Sequence, residues 1–260
     1  MLTFLKLGGS LITDKRGQQA YRAEIMARAA AEIAEAYTPE RPLLIGHGSG
    51  SFGHVVAQKY GTVYGVRTAT EWRGFAAVSL AARRLNNLVL EALSAAGLPV
   101  LGFQPSASAR CVDGELVSMK SELIERALAR GLVPLVHGDV AFDDVRGGTI
   151  LSTEAIFFYL AERLQPSRIL LLGETDGVYD AEGRVIPRIT PQNFPEIAAA
   201  LRGSDGTDVT GGMAAKVKAM LALTERVAGL QVQIMGCGEA GQIAAALRGD
   251  LALGTRIAAQ

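Results

Sequence analysis

The sequence predicts an α/β protein whose mostly parallel sheet is covered by helices on both faces. Three observations lead there. Short apolar runs bounded by Gly or Pro alternate with segments of helical periodicity along the whole 260-residue chain. Runs such as Leu43-Leu44-Ile45 are continuously apolar, as in strands buried on both faces. Hydrophobic residues make up 49% of the chain and charged residues 20%, enough apolar material for a sizeable core. No internal repeat, low-complexity tract or linker interrupts the pattern.

In chain order, Leu2–Leu7 reads as a strand, followed by a polar, Gly-containing loop to about Ala20. Tyr21–Tyr37 is a helix rich in Ala, Glu, Ile and Arg. "PLLIG" is a buried strand, and the glycine loop after it runs into a weak stretch. A long helical pattern extends from about Thr70 to Ala96 and stops at Gly97, and "LPVLGF" is the next strand. Val112–Val117, broken by Asp113-Gly114, predicts a hairpin. "SMKSELIERALARG" is a helix that Ser118 or Ser121 can cap and Gly131 ends. "LVPLVHGDV" is a strand, with a second hairpin around "DDVRGG". Helix Thr153–Leu164, strand "SRILLLG", the turn-rich loop "TDGVYD", a helix from Thr210 to Gly229, strand "LQVQIMG" and a helix over Glu239–Leu247 complete the chain.

Composition excludes several classes. The 26 basic and 26 acidic residues cancel, so no whole-surface attraction to nucleic acid or anionic lipid is expected. Cys111 and Cys237 match no metal spacing and read as small buried hydrophobes. No apolar run approaches the roughly 20 residues of a membrane helix, and the first residues lack a signal-peptide pattern. A cytoplasmic protein is expected.

Three glycine-rich loops carry the chemistry. "LKLGGSLITDK" places Lys6 at a strand end, followed by Gly8, Gly9 and Ser10, with Lys15 beyond. Open α/β sheets bind ligands at the carboxyl ends of their strands, and glycine lets backbone amides approach phosphate oxygens. The same residues also read as a plain turn with solvated lysines. "GHGSGSFGH", Gly46 to His54, contains G-x-G-x-x-G at Gly48, Gly50 and Gly53. A dinucleotide site needs a well-formed helix there and an acid at the end of a second strand. The sequence shows neither, since Glu71 begins a helical pattern. The loop reads instead as a phosphate cradle closed by His54, whose imidazolium can donate a charge-assisted hydrogen bond. His47 reads as structural. "GSDGTDVTGGMAAKVKAM", Gly203 to Met220, places a helix N-terminus at Thr210-Gly211-Gly212, with Lys216 in its second turn. Asp208 can hold Mg²⁺ or orient a lysine. No P-loop signature is present. Two phosphoryl groups, a donor and an acceptor, would use all three loops.

"KLGGSLITDK", "HGSGSFGH", "HGDV" and "DVTGGMAAKV" together resemble the amino acid kinase superfamily, and within it the isopentenyl phosphate kinase family. The histidine-ended "GSFGH" is the specific part. It is shared with relatives that phosphorylate fosfomycin. The resemblance implies an open αβα sandwich, usually a homodimer. Residues 1–165 would bind the acceptor and residues 166–260 ATP·Mg²⁺. It implies ATP-dependent conversion of isopentenyl phosphate to the diphosphate. Lys6 and Lys216 would contact ATP phosphates in a bed of Gly8, Gly9, Ser10 and Gly50. Lys15 would stabilise the transition state. His54 would hold the acceptor's phosphate, with Ser49 and Gly148 nearby. Asp176, Tyr179 and Gly211 would lie around the nucleotide, and no protein metal ligand is expected.

The chain departs from that pattern at Ser49, where a third glycine is expected. It departs again at Gly173-Glu174, in place of Thr-Asp, and at Glu154, in place of a shorter acid. Trp72, Phe75, Ala76 and Val78 form a stripe that either borders an apolar tail or packs as plain core. A phosphonate kinase and a non-catalytic nucleotide sensor are the competing readings.

Overall fold

A computed structural model describes residues 1–14, 16–17, 19–203, 212–250 and 252–260. Strand β1 (Thr3–Leu7) leads into a single helical turn, α1 (Gly9–Ile12), then a small antiparallel pair, β2 (Thr13–Asp14) and β3 (Ala20–Tyr21). Next come α2 (Ala23–Ala36), β4 (Leu43–His47), α3 (Gly50–Tyr60), α4 (Ala69–Ala95) and β5 (Val100–Gly102). The chain continues through β6 (Arg110–Val112), β7 (Glu115–Ser118), α5 (Glu122–Leu128), β8 (Val133–His137), β9 (Asp139–Asp143) and β10 (Gly147–Leu151). Helix α6 (Thr153–Leu164), β11 (Arg168–Gly173), β12 (Arg188–Ile189) and α7 (Phe194–Gly203) follow. The last elements are α8 (Gly212–Arg226), β13 (Gln231–Gly236), α9 (Gln242–Arg248) and β14 (Thr255–Ile257).

The main sheet has eight strands in the order β12-β14-β13-β11-β1-β4-β8-β5. From β13 to β5 every pairing is parallel, and β14 runs antiparallel to β13. Neighbouring residues of each central strand face opposite sides, so the continuous apolar runs divide into two cores. Leu5, Leu7, Ile45, Leu170 and Leu172 pack with residues of α2, α4 and α9. Phe4, Leu44, Ile169 and Leu171 pack on the other face with residues of α5, α6 and α8. This is the αβα sandwich expected. A second sheet, β10-β9-β6-β7, stands beside it. Asp113 (φ 50°) and Gly114 (φ 89°) make the tight β6–β7 turn. Both cysteines are buried and free. Among the described residues no helix is long and apolar enough to cross a membrane.

The structure corrects the sequence reading most clearly after the glycine loop. Residues 50–60, read as a weak stretch, form helix α3. Its glycines cost about 1 kcal/mol each in intrinsic propensity. Burial of Phe52, 4% exposed, and the bonds from Phe52 N–H and Gly53 N–H to the Ser49 carbonyl outweigh that cost. Gly61, in the left-handed region at φ 63°, stops the helix. A helix therefore does begin within G-x-G-x-x-G, at its second glycine. Glu71 is a capping-box residue of α4, paired with Thr68, and does not end a second strand. The "LVPLVHGDV" run is also two strands, β8 and β9, separated at Gly138. The Gly138 N–H donates to the His47 carbonyl at 3.2 Å.

Candidate active site

Lys6, the penultimate residue of β1, sits at the carboxyl edge of the sheet. Its Nζ lies 2.5 Å from Glu154 Oε1, with the lysine side chain 10% exposed and the glutamate 32%. Glu154 is the second residue of α6, whose N-terminus Ser152 caps by accepting from the Ala155 N–H. Burial pushes the Glu154 carboxyl upward, but Lys6 and Lys216 outweigh it and hold the group below the usual range. Lys216, on α8, is held below the ordinary lysine range by burial and then by the charge of Lys6, while Glu154 opposes both. One carboxylate thus pairs with Lys6 and feels the charge of Lys216, so the three groups together carry one excess positive charge. Such an arrangement suits an incoming polyanion.

The first two glycine loops are one structure. The Gly8 N–H donates to the Leu172 carbonyl at 2.9 Å, and the Gly48 N–H to the Leu7 carbonyl at 3.1 Å. A Cβ on Gly9 would stand 2.6 Å from the Gly50 nitrogen, so the two backbones touch where any side chain would separate them. Thr13 pins the contact. Its Oγ1 donates to the Gly9 carbonyl at 2.7 Å and accepts from the Ser51 N–H at 3.0 Å. Gly50 has φ +47°, and a Cβ there would lie 2.1 Å from that same Oγ1. Ser10 lies in the short turn α1, half-buried beside this contact. Gly50→Ala is therefore expected to destabilise the fold by about 2–4 kcal/mol through strain and overpacking. Urea unfolding of the variant against wild type measures it, and an unchanged midpoint would mean the loops do not need to touch.

His54 is the fifth residue of α3 and is exposed. It stands one turn beyond Gly50 on the same helix face. Ser49 precedes the helix, within 2.8 Å of where a Gly53 Cβ would be. Gly148 lies in β10, where a Cβ would come 2.8 Å from the Phe75 ring. Phe75 belongs to a third apolar cluster with Val66, Val78, Val140 and Trp72. Trp72 and Phe75 pack edge to face at 5.2 Å, and both rings also meet Phe142. Ala76 leaves the stripe and faces solvent.

Asp176 and Tyr179 meet in the loop after β11, with the Tyr179 hydroxyl 3.5 Å from Asp176 Oδ2. Asp176 lines a cavity of about 310 Å³ with Val185, Pro187, Gly236, Gln242 and Leu253. Glu174 pairs with Arg22 at 2.8 Å. His47 is fully buried, hydrogen-bonded to Asn86 and Gly48, as a structural residue should be. Lys15, Asp208, Thr210 and Gly211 lie outside the described residues. Among the described residues no group of three His, Cys, Asp or Glu side chains can hold a metal ion. Thr13 and Arg22 were invisible in the sequence, since neither stands in a recognisable pattern.

An α/β sheet with glycine loops and lysines gathered at the carboxyl ends of its strands defines a phosphate-handling protein. The amino acid kinase family model matches residues 1–236. The isopentenyl phosphate kinase of Haloferax volcanii is 43% identical over 223 residues, spanning 85% of this chain and 88% of that protein. That of Methanocaldococcus jannaschii is 36% identical over 225 residues, spanning 84% and 85%. A crystallographic isopentenyl phosphate kinase structure superposes with a TM-score of 0.83 at 31% identity, covering 99% of this chain and all of that one. The chain belongs to the amino acid kinase family and, within it, to the isopentenyl phosphate kinases.

Proposed function

We propose that this protein transfers the terminal phosphoryl group of ATP to isopentenyl phosphate, giving isopentenyl diphosphate and ADP. The observation that carries the reading is the Lys6–Glu154–Lys216 cluster beside the fused glycine loops, with His54 one helical turn away. Phosphoryl transfer needs positioning and charge stabilisation more than covalent chemistry. Lys6 and Lys216 hold the ATP phosphates, and the loop around Gly8, Gly9, Ser10 and Gly50 offers its backbone amides. Lys15 neutralises the moving phosphoryl group. His54 holds the acceptor's own phosphate near Ser49 and Gly148. Asp176, Tyr179 and Gly211 border the nucleotide. Mg²⁺ arrives with ATP, bound to phosphate oxygens. Residues 1–165 bind the acceptor and contribute Lys6 and the glycine loops to the ATP phosphates, residues 166–260 bind the rest of ATP, and the protein is a cytoplasmic homodimer. The apolar cluster of Trp72, Phe75 and Val78 against Gly148 favours an isoprenoid tail over a small polar phosphonate.

Coupled ADP release with ATP·Mg²⁺ tests this, using isopentenyl phosphate, dimethylallyl phosphate, fosfomycin and N-acetylglutamate. Turnover is expected on the two isoprenoid monophosphates. His54→Ala should lower kcat/KM for them about 10- to 100-fold, the worth of a charge-assisted hydrogen bond. Turnover of fosfomycin alone would replace this reading with the phosphonate kinase. Phe75→Ala should change the preference among acceptor tail lengths, and an unchanged preference would make that cluster plain core.

A further inference from the structure

A cavity lies at the opposite edge of the sheet. Its volume is about 570 Å³, and it spans the amino ends of β1, β4, β11 and β13, closed by the carboxyl ends of α2 and α9. Arg41, Arg168 and Arg248 all line it. Arg168 is oriented by donating to the carbonyls of Ala246 and Leu247, both at 2.8 Å, at the end of α9. Arg248 pairs with Glu35 at 2.6 Å. The Arg41 guanidinium has neither a hydrogen bond nor an ion pair among the described residues. Glu40, the acid on the cavity wall, hydrogen-bonds to its own amide and to Thr38. Burial, then the charge of Arg41, pushes the Arg168 pKa below the ordinary guanidinium range. Arg41 and Arg168 thus repel one another at a cavity whose wall acid, Glu40, forms an ion pair with neither among the described residues. Its floor is apolar, built from buried Ala36, Leu43 and Leu247.

We infer that this cavity is a second anion site, for a small phosphorylated compound carrying at least two negative charges, with Arg41, Arg168 and Arg248 as its ligands. A diphosphate group supplies acceptors for several guanidinium forks at once. The site lies one strand length, roughly 20 Å, from the active edge. Occupancy would therefore not compete directly with ATP. The volume suits a small ligand and the apolar floor an organic substituent.

Inorganic diphosphate is the probe, read by hydrogen exchange and by calorimetric titration of the whole protein. It is expected to protect residues 36–43 and 247–249, in addition to the glycine loops of the active edge. The Arg41→Ala/Arg248→Ala double variant should lose protection only in 36–43 and 247–249. Diphosphate affinity at that site should fall at least tenfold, with kcat and KM unchanged. Both arginines are exposed, so the variant is expected to fold. Protection confined to the glycine loops, or protection of 36–43 and 247–249 that survives in the double variant, would overturn the site. Neither result bears on the kinase reading, which concerns the other edge.

Discussion

Lys6→Met is expected to lower kcat about 1,000-fold, equivalent to roughly 4 kcal/mol of lost transition-state stabilisation. Lys6 is nearly buried, fixed by β1 on one side and by Glu154 on the other, so its charge needs no reorganisation during the reaction. The partner substitution, Glu154→Gln, is expected to act differently. It removes the one negative charge that offsets the two lysines. Lys216, already held low by burial and by Lys6, then loses the neighbour that raises it. A lysine that must be protonated supports activity below its pKa and fails as pH rises through it. The alkaline limb of kcat against pH should therefore move to lower pH in Glu154→Gln, with kcat down about tenfold near neutrality. The ADP-release assay across pH reads both effects. A limb that stays in place would remove Glu154 from the electrostatics of the reaction.

Acid lability should be the second large effect. His47 and His137 stack at 5.5 Å with 9° between their planes, at the carboxyl ends of β4 and β8. Burial, then the charges of His47 and Arg83, drives the His137 pKa down to about 3. Burial also lowers that of His47, against its bonds to Gly48 and Asn86. Among the described residues neither His137 ring nitrogen has a hydrogen-bond partner, and Asp139 Oδ2 is 3.9 Å from His137 Nε2, too far for one. A histidine whose folded pKa is depressed takes up its proton preferentially in the unfolded chain. Its contribution is complete above about pH 6.5 and is lost as pH falls from there toward 3. The slope is about 1.4 kcal/mol per pH unit, so near pH 4.5 His137 alone should cost about 3 kcal/mol. That is a large share of a typical domain's stability. Urea unfolding at pH 7 and pH 4.5 measures the loss, and His137→Asn should flatten the difference. Equal pH dependence in wild type and variant would place the lability elsewhere.

The sheet was legible because its physics is local. Apolar runs between Gly and Pro mark buried strands, and the helices that cover them keep their own period. The α3 helix escaped because its glycines lower propensity, and what compensates them is tertiary. At Glu154 the resemblance named the residues, as an acid that would organise the two lysines, but not their geometry. The three residues lie on β1, α6 and α8, far apart in the chain, and only the fold shows how one carboxylate serves two lysines. Arg22 with Glu174, and Thr13 between the loops, are likewise pairings across the chain. The strands β12 and β14 went unread, since two or three residues leave almost no periodic signal, whereas helix α7 was passed over despite its ten residues.

The position of β1 between β4 and β11 has a consequence for how the molecule is made. β4 follows soon after β1 during synthesis, but β11 begins only at Arg168. Until then one edge of β1 presents unpaired N–H and C=O groups, a template for pairing with another chain. Parallel pairing over so long a separation is also slow, since loop closure must be met before the contact forms. The nascent chain is therefore most open to aggregation between the emergence of β4 and that of β11. The strand that carries Lys6 leaves the ribosome before either of its neighbours, and it waits until Arg168 and the residues after it have emerged before its pairing is complete.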